Sequence, residues 1–215
     1  RCSRDWSSDV CSSDLWTRSR TLENLYFDAR DDGLMLFKSL NAWTIMIIGG
    51  KRMKILVVGA GAIGSLFAGK LAGSGMDVTL LARGNRLQDI AKYGLRLQKS
   101  TSSTVEQYPV RSIASLAVDA RYDYVLVVVQ RTQIESLLPM LAANCSPNFV
   151  FMVNTASGYQ AYIDAVGENR VMVAFPSAGG EVDDSVVVYR IGRGLVRLFQ
   201  TTTVGELVHT NGTRV

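Results

Sequence analysis

From Lys54 onward, apolar and polar positions follow two alternating rhythms. Lys54 to Val58 is a short apolar run, the pattern of a strand covered on both faces of a parallel sheet. Ser65 to Ser74 then spaces Leu66, Phe67 and Leu71 along one helical face with small residues between them, and Gly75 closes the segment. Asp77 to Ala82 reads as a second strand. Strand, glycine turn, helix and strand fit within about 30 residues, the size of one βαβ unit. Asn85 to Tyr93 follows as a helix, while Gly94 to Lys99 and Thr104 to Val110 alternate weakly and suggest a hairpin or edge excursion. The strands Tyr122 to Val129, Asn148 to Val153 and Arg170 to Phe175 are then separated by helices over Thr132 to Ala143 and Tyr159 to Val166. Beyond Gly179 the rhythm changes. Val186 to Ile191 and Leu195 to Gln200 alternate around Gly192 and Gly194, as the arms of an antiparallel hairpin would.

Strands alternating with helices predict an α/β fold: a Rossmann-type, doubly wound, mostly parallel sheet with a C-terminal antiparallel hairpin. Gly59-Ala60-Gly61-Ala62-Ile63-Gly64 lies between the first strand and the first helix, the context that gives a Gly-x-Gly-x-x-Gly motif its meaning. Gly59 allows the tight turn, Gly61 lets the backbone approach a pyrophosphate, and Gly64 lets helix and strand pack closely. Free N–H groups and the dipole at the helix start then favour an anion. At the end of the second strand an NAD site usually carries Asp or Glu; this chain has Ala82-Arg83-Gly84-Asn85-Arg86. Arg83 can pair with a 2′-phosphate that a carboxylate would repel, so NADP (NADPH) is expected over NAD. The competing reading is that Arg83 and Arg86 only solvate a loop.

Composition narrows the partners. The chain has 215 residues, 47% of them hydrophobic, with a net charge of +4, enough apolar surface for a real core. The basic excess is spread out and not gathered into a stripe, which argues against nucleic acid. No apolar run approaches the roughly 18 residues of a membrane span, and a cytoplasmic protein is expected. The single histidine, His209, and Cys145 have no metal-ligating neighbours in sequence, so no metal is expected. Asp183-Asp184 reads as a turn between strands.

Residues 1–52 differ from the rest. Asp5 to Leu15 reads Asp-Trp-Ser-Ser-Asp-Val-Cys-Ser-Ser-Asp-Leu, which back-translates to a string resembling a common short-read sequencing adapter. Trp16 to Arg52 sustains no period. Gly49-Gly50-Lys51 suits a purine-rich ribosome-binding site just before Met53. Residues 1–52 are therefore expected to be an artefactual leader without fixed structure. Residues 53–205 are expected to be the nucleotide-binding domain. Residues 206–215 would begin a connection to a helical domain that the chain does not contain.

With Met53 to Gly64 and Leu80 to Gly84 in place, the chain resembles the ketopantoate reductase (2-dehydropantoate 2-reductase) family. The likeness continues through Val125 to Val129, Asn154 to Gly158 and Ala174 to Glu181. The resemblance implies NADPH-dependent reduction of the C2 ketone of 2-dehydropantoate to pantoate, on the way to pantothenate. It implies that Asn154 lies near nicotinamide and substrate, and that the Gly180 backbone neighbours the cofactor. A family lysine is replaced by Gln130, with Arg131 beside it, leaving the cofactor contact in place but the exact 2-oxo acid substrate open. The family's general-acid lysine belongs to a second, helical domain, and this chain has no lysine after Lys99. The chain is therefore expected to bind cofactor without turnover, and any homodimer to form through the absent domain. Two other readings stay open: an NADP-dependent dehydrogenase of another 2-oxo acid, and a non-catalytic NADP-binding module.

Overall fold

The structure is a computed structural model that describes residues 52–155, 157–191 and 202–206, with the backbone of 25–29, 35–39 and 42–43. Three short strands come first: β1 (Leu25–Ala29), β2 (Met35–Ser39) and β3 (Ala42–Trp43). The regular alternation begins with β4 (Lys54–Val58), α1 (Ala62–Gly73), β5 (Asp77–Leu81) and α2 (Gly84–Tyr93). Three strands, β6 (Leu95–Lys99), β7 (Val105–Tyr108) and β8 (Arg111–Ile113), lead to β9 (Tyr124–Val127), α3 (Arg131–Ala143) and β10 (Phe149–Phe151). Then follow α4 (Gln160–Val166), β11 (Val171–Phe175), β12 (Ala178–Asp183), β13 (Val186–Ile191) and β14 (Thr202–Glu206).

Six strands in the order β11-β10-β9-β4-β5-β8 run parallel; five are the strands the sequence rhythm predicts, and the three-residue edge strand β8 is not among them. Their apolar runs are covered on both faces. Ile55 and Val57 point to one side, with Leu66, Phe67 and Leu71 of α1 and Ile90 of α2. Leu56 and Val58 point to the other, with Ile134, Leu137 and Leu141 of α3 and Tyr162 of α4. Each such side chain taken out of water contributes about 1.5–3 kcal/mol, which is why these runs carry no polar alternation. Beyond β11 the sheet turns antiparallel through β14, β1, β2 and β3. A segment expected to lack fixed structure thus contains three strands, paired through β1 to β14.

A second, four-stranded sheet lies across α1 in the order β12-β13-β6-β7. The expected hairpin of β6 and β7 is present, and β6 also pairs in parallel with β13, Val186 opposite Arg96. This sheet explains the small residues of α1. Side-chain carbons built on Gly69 and Gly73 would lie 2.6 Å from Leu97 and 2.7 Å from Tyr108, so larger residues would push the sheet away.

The antiparallel hairpin near the C-terminal end is formed by β12 and β13, with Asp183 opposite Val186. The sequence pattern had put its arms one strand later. Asp184 and Ser185 turn the chain with φ of 38° and 65°, the pair of positive values a two-residue hairpin turn requires. Neither residue is glycine, but the Asp183-Asp184 pair marks the turn in the sequence, where it is expected between strands. The expected arm Leu195 to Gln200, His209 and the adapter-like residues 5–15 all lie outside the described residues.

Candidate functional site

The first parallel strand, β4, has neighbours on both sides that follow it in sequence, β5 on one and β9 on the other. This is the point where the direction of winding reverses, and open α/β sheets bind ligands beyond the carboxyl ends of their strands at such a point. The turn after β4 and the segments after β5, β9 and β10 all reach this edge. They carry Gly59–Gly64, Arg83, Gln130 and Asn154 respectively.

The three glycines meet different surroundings. Gly59 has φ of 112°, and a Cβ there would lie 2.2 Å from the Val128 carbonyl oxygen. Its N–H donates to the Leu81 carbonyl at 3.2 Å, tying the turn to the end of β5. A Cβ on Gly64 would lie 1.9 Å from the Gly59 carbonyl oxygen. Gly61 is exposed, and a Cβ there would meet nothing within 4 Å. So Gly59 and Gly64 are glycines because protein fills the space, whereas the space beside Gly61 is left for something else. Its extended φ of −70° demands no glycine.

Ala62 and Ile63, expected within the turn, already belong to α1, which begins three residues earlier than its apolar spacing suggests. The N–H groups of a helix's first turn have no acceptor within the helix. No acidic residue lies in the first turn of α1 to compete for an anion. Gly180 on β12 comes over this helix start: its Cβ would be 3.4 Å from that of Ala62 and 2.7 Å from the Val188 carbonyl oxygen. The second sheet therefore brings Gly180 beside the glycine turn across more than 100 residues of sequence.

Arg83 is exposed and sits at the N-cap of α2, directly after β5. Asn154 is exposed just past β10. Gln130 is exposed at this edge and caps α3 through its backbone, its N–H donating to the Gln133 side chain at 3.2 Å and its carbonyl accepting from the Gln133 N–H at 2.9 Å. Arg131, beside it, donates to the Ser157 hydroxyl at 2.9 Å, linking the segments that follow β9 and β10.

The competing reading, that Arg83 and Arg86 only solvate a loop, does not hold for Arg86. Arg86 is half-buried behind the glycine turn. It donates to the Ala60 carbonyl at 3.2 Å, the Ser65 hydroxyl at 3.2 Å and the Ser185 carbonyl at 2.7 Å. Burial pulls its guanidinium below the ordinary value; Asp89 works against that and Arg96 with it. No spacing rule could have found these contacts, because two acceptors are backbone carbonyls and one is 99 residues away.

Among the described residues no cluster of three His, Cys, Asp or Glu side chains could hold a metal, and no helix is long and apolar enough to cross a membrane.

Comparison with known proteins adds an independent line. The profile of the family described as ketopantoate reductase PanE/ApbA matches residues 55–201. A 2-dehydropantoate 2-reductase of Halobacterium salinarum is 30% identical over 166 residues, 76% of this chain and 52% of that protein. The crystal structure of a PanE/ApbA family ketopantoate reductase from Ralstonia eutropha JMP134 superposes with a TM-score of 0.58 at 30% identity, over 66% of this chain and 47% of that one. A D-mandelate dehydrogenase solved with NADH shares the fold at 19% identity, with a TM-score of 0.56 over 66% of this chain and 46% of that one. The chain spans about half the length of the curated relatives it matches.

Proposed function

Because the chain belongs to the ketopantoate reductase PanE/ApbA family, a family of NAD(P)-dependent oxidoreductases, we propose that it is the nucleotide-binding part of an NADPH-dependent 2-dehydropantoate reductase. The observation that carries this reading is the open backbone of Gly61 at a helix start, with exposed Arg83 where an NAD site would carry a carboxylate. When bound, the dinucleotide supplies the hydride for the C2 carbonyl. The chain's own residues do the rest. Backbone N–H groups of residues 61–64 hold the pyrophosphate, and Arg83 pairs with the 2′-phosphate. Asn154 orients the nicotinamide and the 2-oxo acid at the end of β10, and the Gly180 backbone closes over the helix start.

Calorimetric titration with NADPH and NADH tests this reading. NADPH should bind at least about tenfold tighter, roughly 1.4 kcal/mol; equal affinities would remove the 2′-phosphate argument and leave a less specific dehydrogenase.

Gln130 favours a second reading at the level of substrate. A neutral amide, it does not offer the cation that the resemblance would put there, and Arg131 offers a different one nearby. A 2-oxo acid other than 2-dehydropantoate would then be reduced by the same hydride chemistry. Competition between 2-dehydropantoate and a panel of 2-oxo acids for the NADPH-loaded protein distinguishes the two readings.

A further inference from the structure

The Ala60 carbonyl is held by two donors from opposite sides of the chain. The Arg86 Nε–H reaches it at 3.2 Å from α2, and the Ser65 hydroxyl at 3.2 Å from α1. Ser65 is fully buried and also accepts from Arg86 at 3.2 Å, so the three groups close a ring. A trans peptide unit points its C=O and N–H in opposite directions. Holding the Ala60 oxygen inward, against Arg86 and Ser65, therefore turns the N–H of exposed Gly61 away from them. The same guanidinium donates to the Ser185 carbonyl at 2.7 Å. Arg96 reaches the same turn through the Asp184 carbonyl, at 3.4 Å, and the Ser185 hydroxyl.

We propose that Arg86 and Ser65 are positioning residues for the nucleotide site: they orient the Ala60–Gly61 peptide toward the pyrophosphate and latch the β12–β13 turn, and with it Gly180, to the glycine turn. The proposal rests on the nucleotide-binding reading only for what it says of the ligand; the latch itself is a property of the free protein. Guanidinium geometry suits the task, because its donors lie in one plane and reach several acceptors together, which an ammonium cannot match. An oriented peptide lowers the ordering cost of binding.

Hydrogen–deuterium exchange on the full chain, with NADPH and NADH titrations alongside, tests it. In R86A, peptides covering residues 58–66 and 183–188 should exchange about tenfold faster together, while those of α3 and α4 stay as they were. Both nucleotides should lose affinity by a similar factor, about tenfold. R86K, which keeps the charge but not the plane, and S65A should each show a smaller change at residues 58–66, and they decide the matter if R86A fails to fold. Unchanged exchange at residues 58–66 in R86K and S65A would overturn the proposal. So would an affinity loss confined to NADPH, which would make Arg86 a direct reader of the 2′-phosphate. If the unaltered protein binds neither nucleotide, the functional reading fails while the exchange result still decides whether the latch exists.

Discussion

Gly61 and Gly64 stand three residues apart, yet a methyl group would meet open space at one and the Gly59 carbonyl, 1.9 Å away, at the other. Gly64→Ala should therefore force helix and turn apart and destabilise the protein by about 1–3 kcal/mol, seen as a lowered melting temperature before any ligand is added. Gly61→Ala should melt as the unaltered protein does and lose at least about tenfold in NADPH affinity, because its methyl enters the space the pyrophosphate needs. An unchanged affinity would show that no ligand approaches there. Arg83 is exposed at the end of β5, so Arg83→Ser should leave stability and NADH affinity alone and weaken NADPH about tenfold or more. The close packing at Gly59 and Gly64 could be read from the sequence because the strand, glycine turn and helix follow one another along the chain. Arg86 could not be read that way, since its function lies in acceptors contributed by three different elements.

Helix α1 shows the same division at the scale of an element. Its existence follows from local spacing, but its burial between two sheets does not. Lys70, in its last turn, is 5% exposed. It binds Glu106 at 2.8 Å and the Tyr108 hydroxyl at 3.2 Å, both on β7, with the Tyr189 ring of β13 5.5 Å away. Burial disfavours the Lys70 charge, but the hydrogen bonds to Glu106 and Tyr108 outweigh it and raise its pKa above the usual lysine value. For Glu106, burial likewise acts against the charge, yet the hydrogen bonds from Lys70 and Tyr108 hold its carboxyl below the usual range. A carboxylate depressed in the folded state stabilises it above the unfolded pKa of about 4.3 and loses that contribution as pH falls through the folded value. A lysine raised in the folded state contributes fully below about 10.4 and loses it as pH rises through the folded value. Melting temperature should thus fall on the acid side below about pH 4, and E106Q should flatten that limb; an unaltered acid limb would mean the pair carries none of it. The two partners are also unequal. The Glu106 side chain is 43% exposed and can rehydrate when Lys70 is lost, whereas Lys70, at 6%, cannot when Glu106 is lost. At neutral pH E106Q should therefore be the more destabilising change, by about 2 kcal/mol, with K70M closer to the unaltered protein.

At the scale of the whole molecule, the two sheets and α1 share one apolar cluster, from Ile55 and Leu66 through Leu97 to Val187 and Tyr189. The proposed nucleotide site lies where they meet. A ligand held there stabilises the native state as a unit: NADPH at about 100 times its dissociation constant should add about 2.7 kcal/mol. In a chain of 215 residues that is about 5–10 °C in melting temperature. A scan in which the transition stays put with NADPH would argue against a native-state site, and two separated transitions would mean that the sheets unfold independently.

The sequence by itself determined five of the parallel strands (β4, β5, β9, β10 and β11), the helices between them, the glycine turn and the cation after β5. Continuous apolar runs, helical spacing and the glycine pattern are all local signals, read within a few residues. Only the tertiary structure decided that β6 and β7 join β12 and β13 in one sheet over α1, and that Gly180 and Arg86 reach the glycine turn. Those outcomes depend on hydrogen bonds between strands about 90 residues apart, on small residues in α1 that let a second sheet approach, and on carbonyl groups that every residue possesses. A strand carries the same pattern whichever partner it finds, so pairing across the chain is settled by the packing of the whole.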